Sequence, residues 1–137
     1  MTKHIDVTEE AGRAFFTSNT QGEVVMLNLL KYNKWADYSQ DKSLEPENEI
    51  SGKDAYRIYM KEVVPHLDAA ESEVLFMGKC DSFLIGPQDE KWDEMILVKH
   101  KSKERFLEFA SNDAYLKVKG RRTAALEDSR LLPIVEK

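Results

Sequence analysis

A single polar side chain interrupts the most apolar segment of the chain. Asn28 stands in the run EVVMLNLLKY, residues 23–32. Burying its amide without a partner costs about 1–3 kcal/mol, so the amide must find one. A neighbouring backbone group or helix end is one candidate, and a ligand in a cleft is the other. We take Asn28 as a candidate site residue that can stabilise an enolate or a carboxylate.

An arginine is predicted to lie on an apolar helix face. Arg122 shares one helical stripe with Tyr115 and Leu126. A guanidinium in such a position needs an acid. Glu127 or Asp128 would make a structural ion pair, whereas a bound carboxylate would make Arg122 an anion-binding residue, for which the planar guanidinium is well suited. The sequence leaves both alternatives open.

His66 is the best general-base candidate among the histidines. It follows Pro65 on the flank of a predicted long helix, beside the apolar stripe and two residues before Asp68. Imidazole titrates near neutral pH and can take or deliver a proton. A solvated or structurally hydrogen-bonded histidine is the alternative. His4, in a start predicted to be disordered, and His100, among lysines at a strand end, rank lower.

Aromatic and acidic side chains complete the predicted ligand-binding set. Tyr59 has the spacing of a helix core residue, and its ring can also line a pocket. Trp35 and Tyr38 lie in the polar stretch Asn33–Ile50, which is longer than most connections in a compact domain. Leaving these rings in water is unfavourable, so we expect the loop to cover the site. Asp128 joins the set beside Arg122.

Composition excludes several classes of protein. The chain has 137 residues and a formal net charge of −5 at neutral pH, which argues against nucleic acid as the main partner. Its apolar runs are too short to cross a membrane, and the first residues do not read as a secretion signal, so we expect a cytoplasmic protein. No metal-ligand spacing, phosphate-loop pattern or dinucleotide motif is present, so no metal or cofactor is predicted. The single cysteine, Cys80, is predicted to point inward with Phe76 and Leu84.

The elements that must position these residues follow from periodicity and capping signals. Glu9 and Glu10 after Thr8 predict a short leading helix, and Ser51 with Asp54 predicts the start of the long one. Pro133 in the last strand predicts an edge position. The predicted helices cover residues 8–19, 51–70, 102–110 and 112–128, and the predicted strands cover residues 23–32, 73–85, 92–100 and 130–136.

This order predicts one α+β domain over residues 1–137. Residues 1–22 form an N-terminal helical extension, and residues 23–137 follow the ferredoxin-like order βαββαβ, with a four-stranded antiparallel sheet and helices on one face. Because the first strand is apolar on both sides, the bare face would expose a hydrophobic patch on a monomer. We therefore expect a homodimer in which two sheets stack face to face as a dimeric α/β barrel.

Several segments resemble a known family. VVMLNLLKY, SGKDAYRIYM, EVLFMGKCDSFLIGPQDEKWDEMILVKH and RTAALEDSRLLP resemble domain of unknown function 1330, an uncharacterised family of the dimeric α/β-barrel superfamily. The resemblance covers about residues 23–134, and its most specific part is Arg122–Pro133. It implies the fold, while members of the superfamily include cofactor-independent monooxygenases, haem-degrading enzymes, lactone isomerases and stress-response proteins.

Two classes of function fit these observations. The first is a small-molecule site between sheet and helices, with cofactor-independent isomerase or monooxygenase chemistry on a small aromatic or carboxylate metabolite, in which His66 moves the proton and Asn28 and Arg122 stabilise the anion. The second is a non-catalytic dimeric binding or stress-response module. Haem binding, with His66 as axial ligand, is a weaker third.

Overall fold

The computed structural model describes residues 2–137. Within them lie four α-helices and a four-stranded antiparallel sheet of order β2-β3-β1-β4, which confirms the predicted ferredoxin-like α+β fold. None of these helices is long and apolar enough to cross a membrane. The elements are α1 (Glu9–Phe16), β1 (Val24–Tyr32), a 3-10 turn (Lys42–Leu44), α2 (Gly52–Ala69), β2 (Glu73–Lys79), β3 (Glu94–His100), α3 (Lys103–Ser111), α4 (Asp113–Ala125) and β4 (Leu126–Ile134).

The alternation of β1 separates the two faces of the sheet. Val24, Met26 and Leu30 are fully buried toward the helices. The strand register extends this buried face to the neighbouring strands. Met26 lies opposite Val98 on β3 and Pro133 on β4, and residues directly opposite each other share a face. Pro133 lies on an edge strand as predicted, where its missing N–H removes no bond from a central ladder.

α2 begins at the predicted capping residue. The Ser51 side chain accepts a hydrogen bond from the amide of Asp54, and Pro65 lies inside the helix on its exposed side. The buried positions recur at helical spacing, so one stripe of α2 packs in the core while the other faces water. That stripe consists of Ala55, Tyr56, Tyr59, Val63 and Leu67.

α4 ends earlier than the sequence predicted. The carbonyls of Ala124 and Ala125 accept hydrogen bonds from the backbone amides of Asp37 and Asn33. These partners satisfy the end of the helix from outside. The chain enters β4 at Leu126, which already has an extended conformation.

The predicted second strand is also too long, and its inward pattern is wrong. The β2–β3 register shifts between Val74 and Phe76, so that Phe76 faces Leu97 on the outer face of the sheet. Such a bulge moves the following side chains to the opposite face. Phe76 is 55% exposed, Leu84 lies beyond the strand and is 100% exposed, and Cys80 is only partly buried.

The outer face of the sheet is apolar. Leu27 in β1 lies opposite Leu97 in β3 and Leu132 in β4. Leu132 is 56% exposed, so no other part of residues 2–137 covers it. Helices therefore cover one face of the sheet, and the other is left in contact with solvent in a single chain.

Gly52 provides a test of how tightly α2 is joined to this framework. A Cβ at this position would lie 2.3 Å from the Asn33 carbonyl oxygen and 2.5 Å from that of Ala125. Because both are backbone atoms, we expect Gly52→Ala to lower the free energy of unfolding by about 1–3 kcal/mol in urea titrations. The exposed neighbour is the control, since Lys53→Ala should change stability by less than about 0.5 kcal/mol. Equal unfolding midpoints for the two variants would contradict this packing.

Candidate functional site

A cavity of about 830 Å³ lies between the helix-facing side of the sheet and the helices. Its volume is in the range of small-molecule sites, and such sites are typically apolar with a few polar groups. Side chains of all four helices and of β1, β3 and β4 line it. Residues 4–16, which we call the N-terminal cover, form part of the wall. The aromatic lining residues are Phe15, Phe16, Tyr56, Tyr59, Phe106, Phe109 and Tyr115.

The N-terminal cover is attached by polar contacts that the sequence did not predict. The backbone amide of His4 donates to Asp128 at 2.8 Å, and the Ser129 hydroxyl donates to the His4 carbonyl at 2.6 Å. Arg122 donates to the carbonyl of Ile5 at 2.6 Å. The expectation of a disordered start at His4 is therefore wrong, because three side chains at the α4–β4 corner hold this backbone in place.

Arg122 reaches the cavity, as its stripe on α4 predicted. Its guanidinium donates to the Ile5 carbonyl and, at 3.4 Å, to the Ser129 hydroxyl. Within residues 2–137 no carboxylate lies within ion-pair distance of it, so the predicted pair with Glu127 or Asp128 does not form. These two acids pair with Lys31 and Arg130 instead.

Asn28 also lines the cavity, and its amide is held by backbone. The amide nitrogen donates to the Met26 carbonyl at 3.3 Å and to the Ile96 carbonyl at 3.2 Å. Two acceptors on one side require the NH₂ group to face them. The backbone-partner alternative for Asn28 therefore holds, and its oxygen remains available as an acceptor at the cavity wall.

A pair of tyrosines contributes hydroxyl groups to the wall. Tyr59 on α2 and Tyr115 on α4 share a hydrogen bond of 2.9 Å between their hydroxyls. Burial, and then the proximity of Tyr115, raise the pKa of Tyr59 well above its ordinary value. Burial likewise raises the pKa of Tyr56 to about 12, although the positive charge of Arg122 opposes this rise. Tyr56 and Tyr59 are therefore neutral at physiological pH and act as hydrogen-bonding groups.

Asp128 supports the cavity from behind its wall. It accepts hydrogen bonds from the His4 amide and from Arg130, whose nitrogen lies 2.7 Å away. Burial opposes ionisation of Asp128, but these bonds outweigh it and lower the pKa of the carboxyl group below its usual value. Asp128 is thus an ionised anchor for the N-terminal cover.

His66 is not among the residues that line the cavity. It lies in the last turn of α2, partly exposed, where its carbonyl accepts the hydrogen bond that caps the helix. The side chains lining the cavity from this helix are Tyr56, Tyr59, Met60, Val63 and Leu67. The structure therefore brings Asn28, Tyr59 and Arg122 to one cavity and leaves His66 outside it.

The long loop after β1 covers α4 rather than the cavity. Tyr38 is buried, and its hydroxyl accepts a hydrogen bond from Arg121 at 3.4 Å. Arg121 also pairs with Glu62 and donates to the Leu44 carbonyl, so the loop is tied to the outer side of α4. Trp35 is 50% exposed. The expectation that these rings lie over something holds for Tyr38, but neither ring lies at the cavity.

His100 lines the cavity although the sequence ranked it low. Only 2% of the residue is exposed, and Nδ1 lies 2.7 Å from the Ser72 hydroxyl. The Phe106 ring meets the imidazole edge-on at 5.0 Å. Desolvation lowers the pKa of His100 to about 4. The alternation of buried and partly exposed residues along β3 could have identified His100, since it continues the inward series of Ile96 and Val98.

The fold and cavity define a ferredoxin-like α+β protein with a pocket between sheet and helices. The RPA0582 protein of Rhodopseudomonas palustris, a protein of unknown function, is 32% identical, with a TM-score of 0.88 over 99% of this chain and 98% of that one. The chain belongs to the same family as RPA0582. No protein-family model matches the chain, and no curated protein matches it.

More distant solved structures share the fold alone. An uncharacterised NIPSNAP domain protein from Burkholderia xenovorans is 11% identical, with a TM-score of 0.51 over 84% of this chain and 94% of that one. A Dabb family protein with a ferredoxin-like fold from Mesorhizobium loti is 9% identical, with a TM-score of 0.50 over 85% and 99%. At these identities they indicate the architecture and carry no site residue over.

The lowered pKa of His100 predicts a pH-dependent stability. Because the folded pKa of about 4 lies below the ordinary imidazole pKa of 6.5, the unfolded chain binds a proton between these pH values that the folded protein does not. The contribution of His100 to the free energy of unfolding is therefore fully present above pH ~6.5. It falls by about 2–3 kcal/mol as the pH drops toward 4, which urea unfolding would measure. His100→Gln should remove this part of the slope. The Asp128 contribution starts to fall only near the ordinary carboxyl pKa of 3.8, and it is lost as the pH drops through its own lowered pKa. An unchanged slope in the variant would contradict the assignment.

Proposed function

We propose that this protein is a homodimeric small-molecule-binding protein whose cavity takes an amphipathic carboxylate. The acid group of the ligand binds Arg122, and its apolar body lies among the aromatic and aliphatic side chains of the wall. The observation that carries the proposal is a guanidinium at an apolar cavity with no carboxylate partner within residues 2–137. Its present partners, a carbonyl and a hydroxyl, leave its charge uncompensated.

The balance of charge at the cavity supports an anionic ligand. Three cationic side chains line it, Lys119, Arg122 and Arg130, against the single carboxylate of Asp6. Lys119 is paired with Asp6 at 3.0 Å, and Arg130 with Asp128. Arg122 is thus the cation left to bind an anion, and a guanidinium binds a carboxylate through two parallel hydrogen bonds.

The apolar wall argues that the rest of the ligand is hydrophobic. Met26, Val63 and Ile96 are almost fully buried and face the cavity beside the aromatic rings. Burial of apolar ligand surface contributes about 25 cal/mol per Å² before the costs of association. A small polar anion would gain little from such a wall, whereas an aromatic or aliphatic acid gains from both parts.

Binding without catalysis fits the geometry better than the isomerase or monooxygenase alternative. That alternative needed His66 to move a proton, and His66 is outside the cavity lining. Haem binding depended on the same histidine as axial ligand and loses its support for the same reason. Asn28, Tyr59 and the Tyr115 hydroxyl then serve as hydrogen-bonding groups for the ligand rather than as a catalytic set.

The second half of the proposal is a dimer through the outer face of the sheet. Leu27, Leu97 and Leu132 lie in one row across three strands, and Phe76 extends the row to β2. Contiguous exposed apolar surface of this kind is rare on monomers. A second copy of the chain presents the same row, so stacking around a two-fold axis would cover both at once.

Two finer assignments accompany this proposal. We assign the family to domain of unknown function 1330 on the sequence resemblance, which is most specific at Arg122–Pro133 and includes the corner that holds the N-terminal cover. We also assign the protein to the cytoplasm, on the basis of its composition and its single cysteine.

Arg122 should determine the preference for acids over uncharged analogues. We expect decanoic acid to bind more tightly than decanol by about 10- to 100-fold in calorimetric titrations, since hydrogen bonds to charged groups contribute roughly 1.5–3 kcal/mol. Arg122→Gln should abolish this preference while leaving the affinity for decanol similar.

Lys119→Gln is the matched control for Arg122→Gln. Lys119 is also a cation at the cavity, but Asp6 neutralises it. This variant should keep most of the preference for the acid. A preference retained by Arg122→Gln, or lost equally in both variants, would mean that Arg122 is not the carboxylate site.

A charge on the outer face should separate the dimer. We expect sedimentation at micromolar concentration to show a dimer for the parent protein and a folded monomer for Leu132→Glu, because a carboxylate in the apolar row would be buried without a partner. Leu116→Glu is the control, since Leu116 on α4 is 46% exposed and does not lie on the sheet. A monomeric parent protein would refute the stacked dimer.

A further inference from the structure

His100 is a buried polar group with one side bound and the other side open. Nδ1 meets the Ser72 hydroxyl at 2.7 Å, and no hydrogen bond to Nε2 is found within residues 2–137. His100 lines the cavity, whereas Ser72 does not. Nε2 is not among the fully buried side-chain atoms that lack a partner in residues 2–137, so this edge of the ring keeps accessible surface and is the edge open to the cavity.

The contact with Ser72 selects the tautomer of the imidazole. The only hydrogen-bond partner of the Ser72 hydroxyl within residues 2–137 is Nδ1 of His100, and Ser72 itself is buried. If Nδ1 carried the proton, the hydroxyl hydrogen would be left without an acceptor, which is unfavourable in a buried position. The hydroxyl therefore donates to Nδ1, and the ring carries its proton on Nε2. The group presented to the cavity is an N–H donor.

The surroundings of this donor are apolar and uncharged. Phe106 and Phe109 pack on the imidazole with ring centroids 5.0 and 5.8 Å away. Burial holds its pKa near 4, so the ring is neutral at physiological pH. A neutral N–H in such a place suits an uncharged oxygen acceptor, because a carboxylate would lose its hydration there without gaining a cation.

His100 and Arg122 serve opposite ends of the cavity. His100 lies opposite Val24 at the start of β1, whereas Ser129, which touches Arg122, lies opposite Leu30. Six residues of strand separate these levels, or about 20 Å at the usual rise. Part of this span is taken up by the long side chain of Arg122, and the rest is the apolar wall.

We propose that His100 is a second ligand-binding residue, and that the ligand is an elongated carboxylic acid with an uncharged carbonyl oxygen at the end remote from its acid group. This inference rests on the proposed carboxylate site at Arg122 and names the substrate class of that site. Ser72 acts as a positioning residue that fixes the tautomer. The carbonyl oxygen accepts the Nε2 hydrogen that otherwise has no partner.

The test compares acids that differ only in the remote carbonyl. Hexanoic, octanoic and decanoic acids are titrated calorimetrically against their methyl-ketone counterparts, in which the penultimate carbon carries the oxygen. At the chain length that spans the cavity, the keto acid should bind about tenfold more tightly than its parent, because the parent leaves the buried N–H unpaired.

Two variants and one spectrum separate the possible outcomes. His100→Phe keeps a ring without the donor and should remove the keto preference, whereas His100→Gln retains an N–H donor and should keep part of it. Nitrogen-15 spectra of the parent protein report the tautomer directly, without relying on a variant that folds. The expected spectrum is that of an imidazole protonated on Nε2.

Each result distinguishes this inference from the function on which it rests. Tight binding of the parent acids with no keto preference at any length would overturn the role of His100 and leave the Arg122 site standing. No binding of either series would overturn both. An Nδ1-protonated ring, or a keto preference that survives in His100→Phe, would also overturn the assignment.

Discussion

The structure depends on one strand that is apolar on both faces. β1 lies in the centre of the sheet, between β3 and β4, with Val24, Met26 and Leu30 toward the helices and Leu27 toward the outside. Neither face can remain in water without a large loss of hydrophobic stabilisation. The helices cover one face, and the proposed dimer would cover the other. Both the cavity and the proposed dimer follow from how completely each face is covered.

The cavity lies between the sheet and the helices that cover it. α2 and α4 pack tightly on each other, joined by the Tyr59–Tyr115 hydroxyl pair, while the N-terminal cover crosses the opening beside them. The cover has no buried residue in α1 and is attached through side chains at the α4–β4 corner. Segments with few buried contacts and exposed hydrogen bonds open at low free energy. The N-terminal cover therefore belongs to the segments that can open at low free energy.

The order of elements could be predicted from sequence because it depends on local signals. The Ser51 cap, the apolar stripe of α2 and the edge position of Pro133 each follow from one segment read alone. The bulge after Val74 could not be predicted in this way, because it depends on pairing with β3. One inserted residue was enough to reverse the predicted orientation of Phe76.

Two residues of the candidate site could be predicted because each violates the pattern of its own segment. Asn28 and Arg122 are polar groups on apolar stripes, and both reach the cavity. His66 offered suitable chemistry, but its helical position at the flank of the stripe does not lead inward. His100 followed the apolar alternation of β3, but it was ranked low because the positive charge of its lysine neighbours would disfavour protonation. The partner of Arg122, the Ile5 carbonyl, lies 117 residues away in the chain, so no local sequence pattern predicts the contact.

The two polar ends of the cavity differ because burial affects their charges differently. A guanidinium is a cation in proteins, so Arg122 must be met by an anion or by several dipoles. A buried imidazole can lose its proton and become neutral. His100 does so, which leaves a neutral N–H donor. In the proposed site, one end of the cavity therefore favours a charged group and the other end favours an uncharged one. A ligand with two like ends would satisfy only one of them, so this arrangement distinguishes the direction in which an elongated molecule lies.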